Sequence, residues 1–138
     1  MTAVMLHDPF DLAFSYPGLR VFVTGGRDYK NEELVQALLC AMQPTCVMHG
    51  ASPLGGADLF ADRWCAGFPE VECLRFPPLY PLYVRPSAGP ERNRQMLDEG
   101  APDIGLAFPG GKGTAGCIRE ARTRRIPVIR VIDEAEAE

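Results

Sequence analysis

IGLAFPGGKGT (104–114) joins a short apolar run to a loop with three glycines among four residues, then to a helical pattern over Thr114–Arg124. An apolar run of this length, bounded by turn residues, reads as a buried strand. A glycine-dense link from such a strand into a helix is the connection used in open α/β sheets. The same unit recurs on both sides. LRVFVT (19–24) is followed by GGRD, and Asn31 can cap a helix over Glu32–Met42 with Leu34, Ala37, Leu38 and Ala41 on one face. Pro44 stops that helix. CVMHG (46–50) leads through ASPLGG into a helix over Ala57–Ala66, with Leu59, Phe60, Arg63 and Trp64 at helical spacing, closed by Gly67 and Pro69. VECLRF (71–76) is a third strand, and residues 77–88 are the longest irregular stretch. Pro90 opens a helix over Glu91–Glu99 that Gly100 ends, and Ile126–Ile132 supplies a fifth strand.

Strands and helices therefore alternate throughout. The pattern predicts an α/β fold, a Rossmann-like three-layer sandwich with a mainly parallel five-stranded sheet, over residues 19–132. Residues 1–18 read as an N-terminal arm, either a flexible leader or a segment reaching a partner subunit through Phe10 and Phe14. Residues 133–138, DEAEAE, read as an acidic tail.

The chain has 138 residues, enough for one domain with a core of its own. Its net charge of −4 equals the charge of the acidic end alone, so the remaining body is neutral. A neutral body argues against duplex nucleic-acid binding. No apolar run approaches the length of a membrane helix, and MTAVMLHDPFDLAF lacks the basic start of a signal peptide, so the expected location is the cytosol. Five cysteines without a CxxC pair, and two distant histidines, give no metal-binding pattern; they read as reduced thiols. Neither a metal nor a cofactor is expected. The cations are 12 Arg and 2 Lys, and the guanidinium fork suits phosphate.

Ligands of open α/β sheets bind beyond the carboxyl ends of the strands. The candidate residues lie there: Thr24, Gly25, Gly26, Arg27 and Asp28 after the first strand; His49, Gly50, Gly56 and Asp58 after the second; Pro109, Gly110, Gly111, Lys112, Gly113 and Thr114 after the fourth. Glycine lets backbone approach a phosphate, and the helix that follows presents unpaired N–H groups and partial positive charge. Neither GxxxxGK[ST] nor GxGxxG is present, so the loops are neither a P-loop nor a standard dinucleotide fingerprint. Arg92 and Asn93, in GPERNRQML (89–97), fall in the first helical turn, where an arginine opposes the helix dipole unless an anion is bound. Asp58 can cap its helix or contact a ligand. Asp28 can accept from a ribose or pair with Arg27. His49 can be a donor, an acid/base or a packed side chain, Trp64 reads as core, and Tyr80 and Tyr83 can stack on a base.

TGGRD, HG…GGAD, GPERNRQML and FPGGKGT, in this order over residues 19–131, resemble the YspA-type, cpYpsA-related members of the SLOG superfamily. The superfamily includes the LOG phosphoribohydrolases and DprA-like proteins. The resemblance implies a Rossmann-like fold, homo-oligomers, and binding of nucleotides or nucleotide-derived molecules. The LOG enzymes carry a catalytic glutamate in PGGxGTxxE, and that position is Cys117 here. A thiol does not replace a carboxylate in acid/base work, and Glu120, three residues later, points about 60° away. The loop between His49 and Asp58 is two residues longer than the family's HGGARGAD spacing, through Ser52, Pro53 and Leu54. The expectation is a binding protein for a nucleotide or ADP-ribose-like molecule, acting as a sensor or sequestering module. The alternative is a LOG-like hydrolase of the N-glycosidic bond, with Glu120, Asp58 or His49 as acid/base.

Overall fold

The computed structural model describes residues 3–5, 18–52, 55–79, 81 and 84–133. The elements are β1 (Ala3–Met5), β2 (Arg20–Thr24), α1 (Glu32–Met42), β3 (Cys46–His49), α2 (Ala57–Ala66), β4 (Glu72–Arg75), α3 (Ala88–Gly100), β5 (Ile104–Ala107), α4 (Lys112–Thr123) and β6 (Val128–Asp133). The sheet order is β1-β6-β5-β2-β3-β4. The five strands from β2 to β6 are parallel, and β1 joins the edge of β6 antiparallel, with Val4 opposite Ile132. The fold is an α/β, Rossmann-like sandwich. Connections run from β2 outward through β3 to β4, then cross back to β5 and β6. The switch point lies between β2 and β5, and two glycine-rich loops leave the sheet there.

Alternate residues of each parallel strand face opposite layers. Val21, Val23, Val47, Leu106 and Ile129 pack with Val35, Leu39 and Trp64 of α1 and α2. Phe22 and Met48 pack on the other face with Met96 and Leu97 of α3 and Cys117 and Ala121 of α4. Burial on both faces explains why these strands read as unbroken apolar runs. Gly105 stands opposite Phe22 in the ladder, and the Phe22 ring occupies the space a Gly105 side chain would need. Trp64 is core, as expected.

Several boundaries differ from the sequence reading. α3 begins at Ala88, so Pro90 is its third residue; a proline fits anywhere in the first turn because those N–H groups have no helical partner. α4 begins at Lys112, which brings two residues of the glycine loop into its first turn. Within the segment read as an N-terminal arm, Ala3–Met5 forms β1. Asn31 caps α1 as expected, accepting from the Leu34 amide at 3.2 Å. Its Nδ2 also donates to Asp133, which accepts from the Tyr29 hydroxyl at 2.8 Å. Asp133 is thus a buried anchor of β6 rather than the start of a solvated tail. Phe10, Phe14, Pro53, Leu54, Tyr80, Tyr83 and residues 134–138 lie outside the described residues. The five cysteines are free thiols. Among the described residues, no helix is long and apolar enough to cross a membrane.

Candidate ligand-binding site

Thr24, Gly25 and Gly26 leave β2 beside Pro109 and Gly110 leaving β5. The Gly26 amide donates to the Pro109 carbonyl at 2.8 Å. A side chain at Gly26 would press on Pro109 O and Gly110 Cα, both 3.1 Å from its Cβ, and one at Gly110 would strike the Gly26 nitrogen at 2.6 Å. Gly25 lies against Ala57 and Phe108. Gly56 has φ +82° and its missing Cβ would run into the Gly26 carbonyl and the Arg27 backbone. Gly26, Gly56 and Gly110 bring the backbones of three loops into contact, and Gly25 leaves room for the Ala57 and Phe108 side chains. The Gly26 amide is therefore committed to protein, not free for a ligand. Gly111 and Gly113 differ: nothing lies within 4 Å of a Cβ built on either.

The N-terminus of α4 opens between these two glycines. Gly111 is the cap residue and supplies no side-chain hydrogen bond, so the first amides of the helix are bare. Gly110, Gly111, Lys112 and Gly113 are exposed, and Thr114 is buried beneath them. A hollow of about 290 Å³ lies on one side, with Gly111, Thr114 and Arg130 among apolar walls from Phe108, Ile118 and Ile132. A second, of about 440 Å³, lies on the other, between the starts of α3 and α4. Its charged lining is Arg92, Arg94, Lys112 and Arg119 against Glu120 alone. Glu120 already pairs with Arg124 at 2.7 Å and Arg94 at 3.7 Å. The Arg124 guanidinium, with help from Arg94, holds its carboxyl below the usual glutamate range. Lys112 and Arg119 have no side-chain partner among the described residues, and neither do Arg27 and Asp28, which are exposed and not paired with each other.

Arg92 and Asn93 sit one turn further into α3 than the sequence suggested, so no dipole conflict needs relief. Arg92 is held by protein: Nη1 donates to Gly50 O at 2.6 Å and Nε to Asn93 Oδ1 at 2.9 Å. Asn93 Nδ2 reaches Gly113 O at 3.4 Å, linking α3 to α4. The guanidinium occupies the space a Gly50 side chain would take, close to Asp58. Asp58 is buried, and burial raises its carboxyl, opposed by the charges of His49 and Arg92 and by amides of Ser52 and Gly50. Asp58, Arg92 and Gly50 form the wall that ties the second loop to α3.

His49 is not part of the opening. It is 1% exposed and packed. Its Nδ1 accepts the Ala51 amide at 2.9 Å, and its Nε2 lies 3.0 Å from Asp62 Oδ1 and 3.7 Å from Cys73 Sγ. His49, Asp62 and Cys73 have ligand atoms within 4.8 Å of one another. With Nδ1 accepting an amide, the neutral ring carries its proton on Nε2, the atom an ion would need. Asp62 also accepts from Arg75 at 2.5 Å, and that contact above all lowers its carboxyl. Its folded value lies below the ordinary 3.8, so its contribution to stability is full above 3.8 and is lost as the pH falls further. Asp62→Asn should cost about 1 kcal/mol at pH 7, since Arg75 is largely exposed. Variant and wild type should converge in acid unfolding only as the pH falls below the ordinary aspartate value; a gap that persists unchanged well below that pH would refute the assignment.

Cys117 is fully buried and contacts the Thr24 hydroxyl; burial pushes its thiol up to about 11. Asp62, Cys73, Arg94, Arg119 and Arg130 were not singled out by sequence reasoning. Asp62 had a hint, one turn after Asp58 on the same helix, and Arg94 stood within GPERNRQML.

The fold and its three contacting loops define a Rossmann-like α/β protein with a cationic, glycine-lined opening at the sheet's switch point. No family model matches the chain. It is 36% identical over 125 residues to the Gene 61 protein of Mycobacterium phage D29, covering 83% of this chain and 98% of that protein. The chain belongs to the family of that phage protein.

Proposed function

We propose that the protein is a SLOG-type binding module that holds the phosphate of a nucleotide or nucleotide-derived, ADP-ribose-like molecule. One observation carries the reading: the uncapped start of α4, bare at Gly111 and Gly113, faces a hollow of about 440 Å³ lined by four cations and one already paired carboxylate. Bare amides, helix dipole and unpaired Lys112 and Arg119 all favour an anion. The apolar hollow beside Gly111 offers room for a base or sugar. Hydrolysis is the weaker reading because each acid/base candidate is occupied: His49 is packed away from the opening, Asp58 is buried in the wall beside Arg92, and Glu120 is an ionised partner of two arginines. The proposal places the protein in the cytosol as a homo-oligomer, which light scattering would read.

The test is a thermal-shift panel of nucleoside monophosphates, cyclic dinucleotides and ADP-ribose, with chromatography of the supernatant. A bound molecule at a hundred times its Kd adds about 2.7 kcal/mol, a shift of several degrees. Gly111→Phe should abolish the shift and leave the unliganded melting temperature unchanged, because its side chain enters open space. A shift retained in Gly111→Phe, or no shift with any compound, overturns the site; release of free base would establish the hydrolase instead.

A further inference from the structure

One phosphate is enough for the start of α4. Beside the bare amides, Thr114 is 8% exposed and lines the smaller hollow, and its hydroxyl has no hydrogen-bond partner among the described residues. Further along α4, cations are left over. Lys112, Gly116 and Arg119 follow at i, i+4 and i+7 and share one ridge of the helix. The Arg119 guanidinium folds back toward the helix start, with Nη2 3.6 Å from the position of a Cβ built on Gly116. Gly113 and Gly116 line the larger hollow, so no side chain of α4 stands between the bare amides and that guanidinium. Across the hollow, Arg94 of α3 reaches Glu120 at 3.7 Å, and Glu120 keeps Arg124 at 2.7 Å if Arg94 turns away. We infer that the site takes two phosphates joined by an anhydride. The first rests on the start of α4 and the second on Arg119, with Arg94 behind it.

This inference rests on the anion-binding reading above and names the anion. Spacing carries it. From the first amides of α4 to the level of Gly116 is about one helical turn, ~5.4 Å. A single phosphate held on the amides stops short of Arg119, whereas a second phosphate linked through a shared oxygen reaches it. A guanidinium meets a phosphate through two parallel N–H donors, and no protein acceptor competes for those of Arg119 among the described residues. The order of the hollows gives the order of the groups. The nucleoside lies beside Gly111 against Phe108 and Ile118, the first phosphate over the helix start, and the second between α3 and α4. Arg119 is therefore the residue that tells a diphosphate from a monophosphate. It is exposed, so its replacement should leave the fold intact.

The experiment titrates the full chain with inorganic phosphate, pyrophosphate, AMP, ADP and ADP-ribose, following the Gly111 and Gly113 amides by NMR. Pyrophosphate should bind about tenfold tighter than phosphate, and ADP or ADP-ribose about tenfold tighter than AMP, as one charge-assisted contact supplies. Preference for ADP marks a terminal diphosphate, and equal affinity for ADP-ribose a bridging one; both support the inference. Arg119→Ala should bring each diphosphate within about threefold of its monophosphate. Arg122→Ala removes an equal charge from the same helix outside the hollow, and should keep the tenfold preference. Equal losses in the two variants would reduce the effect to net charge and overturn the role of Arg119. A diphosphate no tighter than its monophosphate would overturn the inference while shifted Gly111 and Gly113 amides kept the phosphate site. No shift of those amides with any of these probes would overturn both.

Discussion

Gly56→Ala is expected to lower the melting temperature by about 10 °C or more and to remove ligand-induced stabilisation. Two costs combine. Gly56 has φ 82° and ψ −161°, a region open essentially to glycine, at about 1–3 kcal/mol for any other residue. The new methyl would also strike the Gly26 carbonyl and the Arg27 backbone. Backbone cannot rotate aside as the tip of a long side chain can, so the first and second loops must separate, at about 1–3 kcal/mol more. Gly26 is itself bonded to Pro109, so separation propagates to the start of α4. Gly55→Ala is the control: its φ is also positive, but the nearest atom to its Cβ is 3.5 Å away, so it should cost stability with a smaller effect on binding. Calorimetry checks the first expectation and the nucleotide panel the second. A Gly56→Ala protein melting within about two degrees of wild type would show that the loops do not bear on one another as described.

Phe22→Ala should cost about 3–5 kcal/mol, a large part of the stability of a domain this size. Phe22 is fully buried in the layer beneath α3 and α4, and Gly105 opposite it has no side chain to fill the void. Met48 and Met96 are close enough to relax inward in part. Gly105→Ala alone should also destabilise, through a methyl forced into the ring. The double variant should lose less than both single losses together, since the methyl then enters the space the ring has left. Strict additivity in urea unfolding would disprove the pairing of ring and glycine.

The elements that could be read from sequence were those whose pattern is local. The parallel strands are apolar on both faces and stand between turn residues, and the Asn31 cap acts within one helical turn. β1 is three residues long and held by the β6 edge, so nothing within AVM distinguishes it from a lead-in. Asp133 was hidden by its neighbours: a run of acids reads as solvated, yet its partners, Tyr29 and Asn31, come from the other end of the fold. The glycines show the same limit at the site. Composition marks the loops, but which glycine touches a neighbouring backbone and which faces a void depends on how three separate loops meet. His49, Asp62 and Cys73 could not be grouped beforehand, since the histidine's partners lie 13 and 24 residues away.

The meeting of these loops has a kinetic corollary. Gly26, Gly56 and Gly110 lock the rim together before anything enters, so little conformational freedom remains to be surrendered on occupancy. Association should then be governed by long-range attraction between an incoming anion and the guanidinium-rich mouth, and should slow as ionic strength rises.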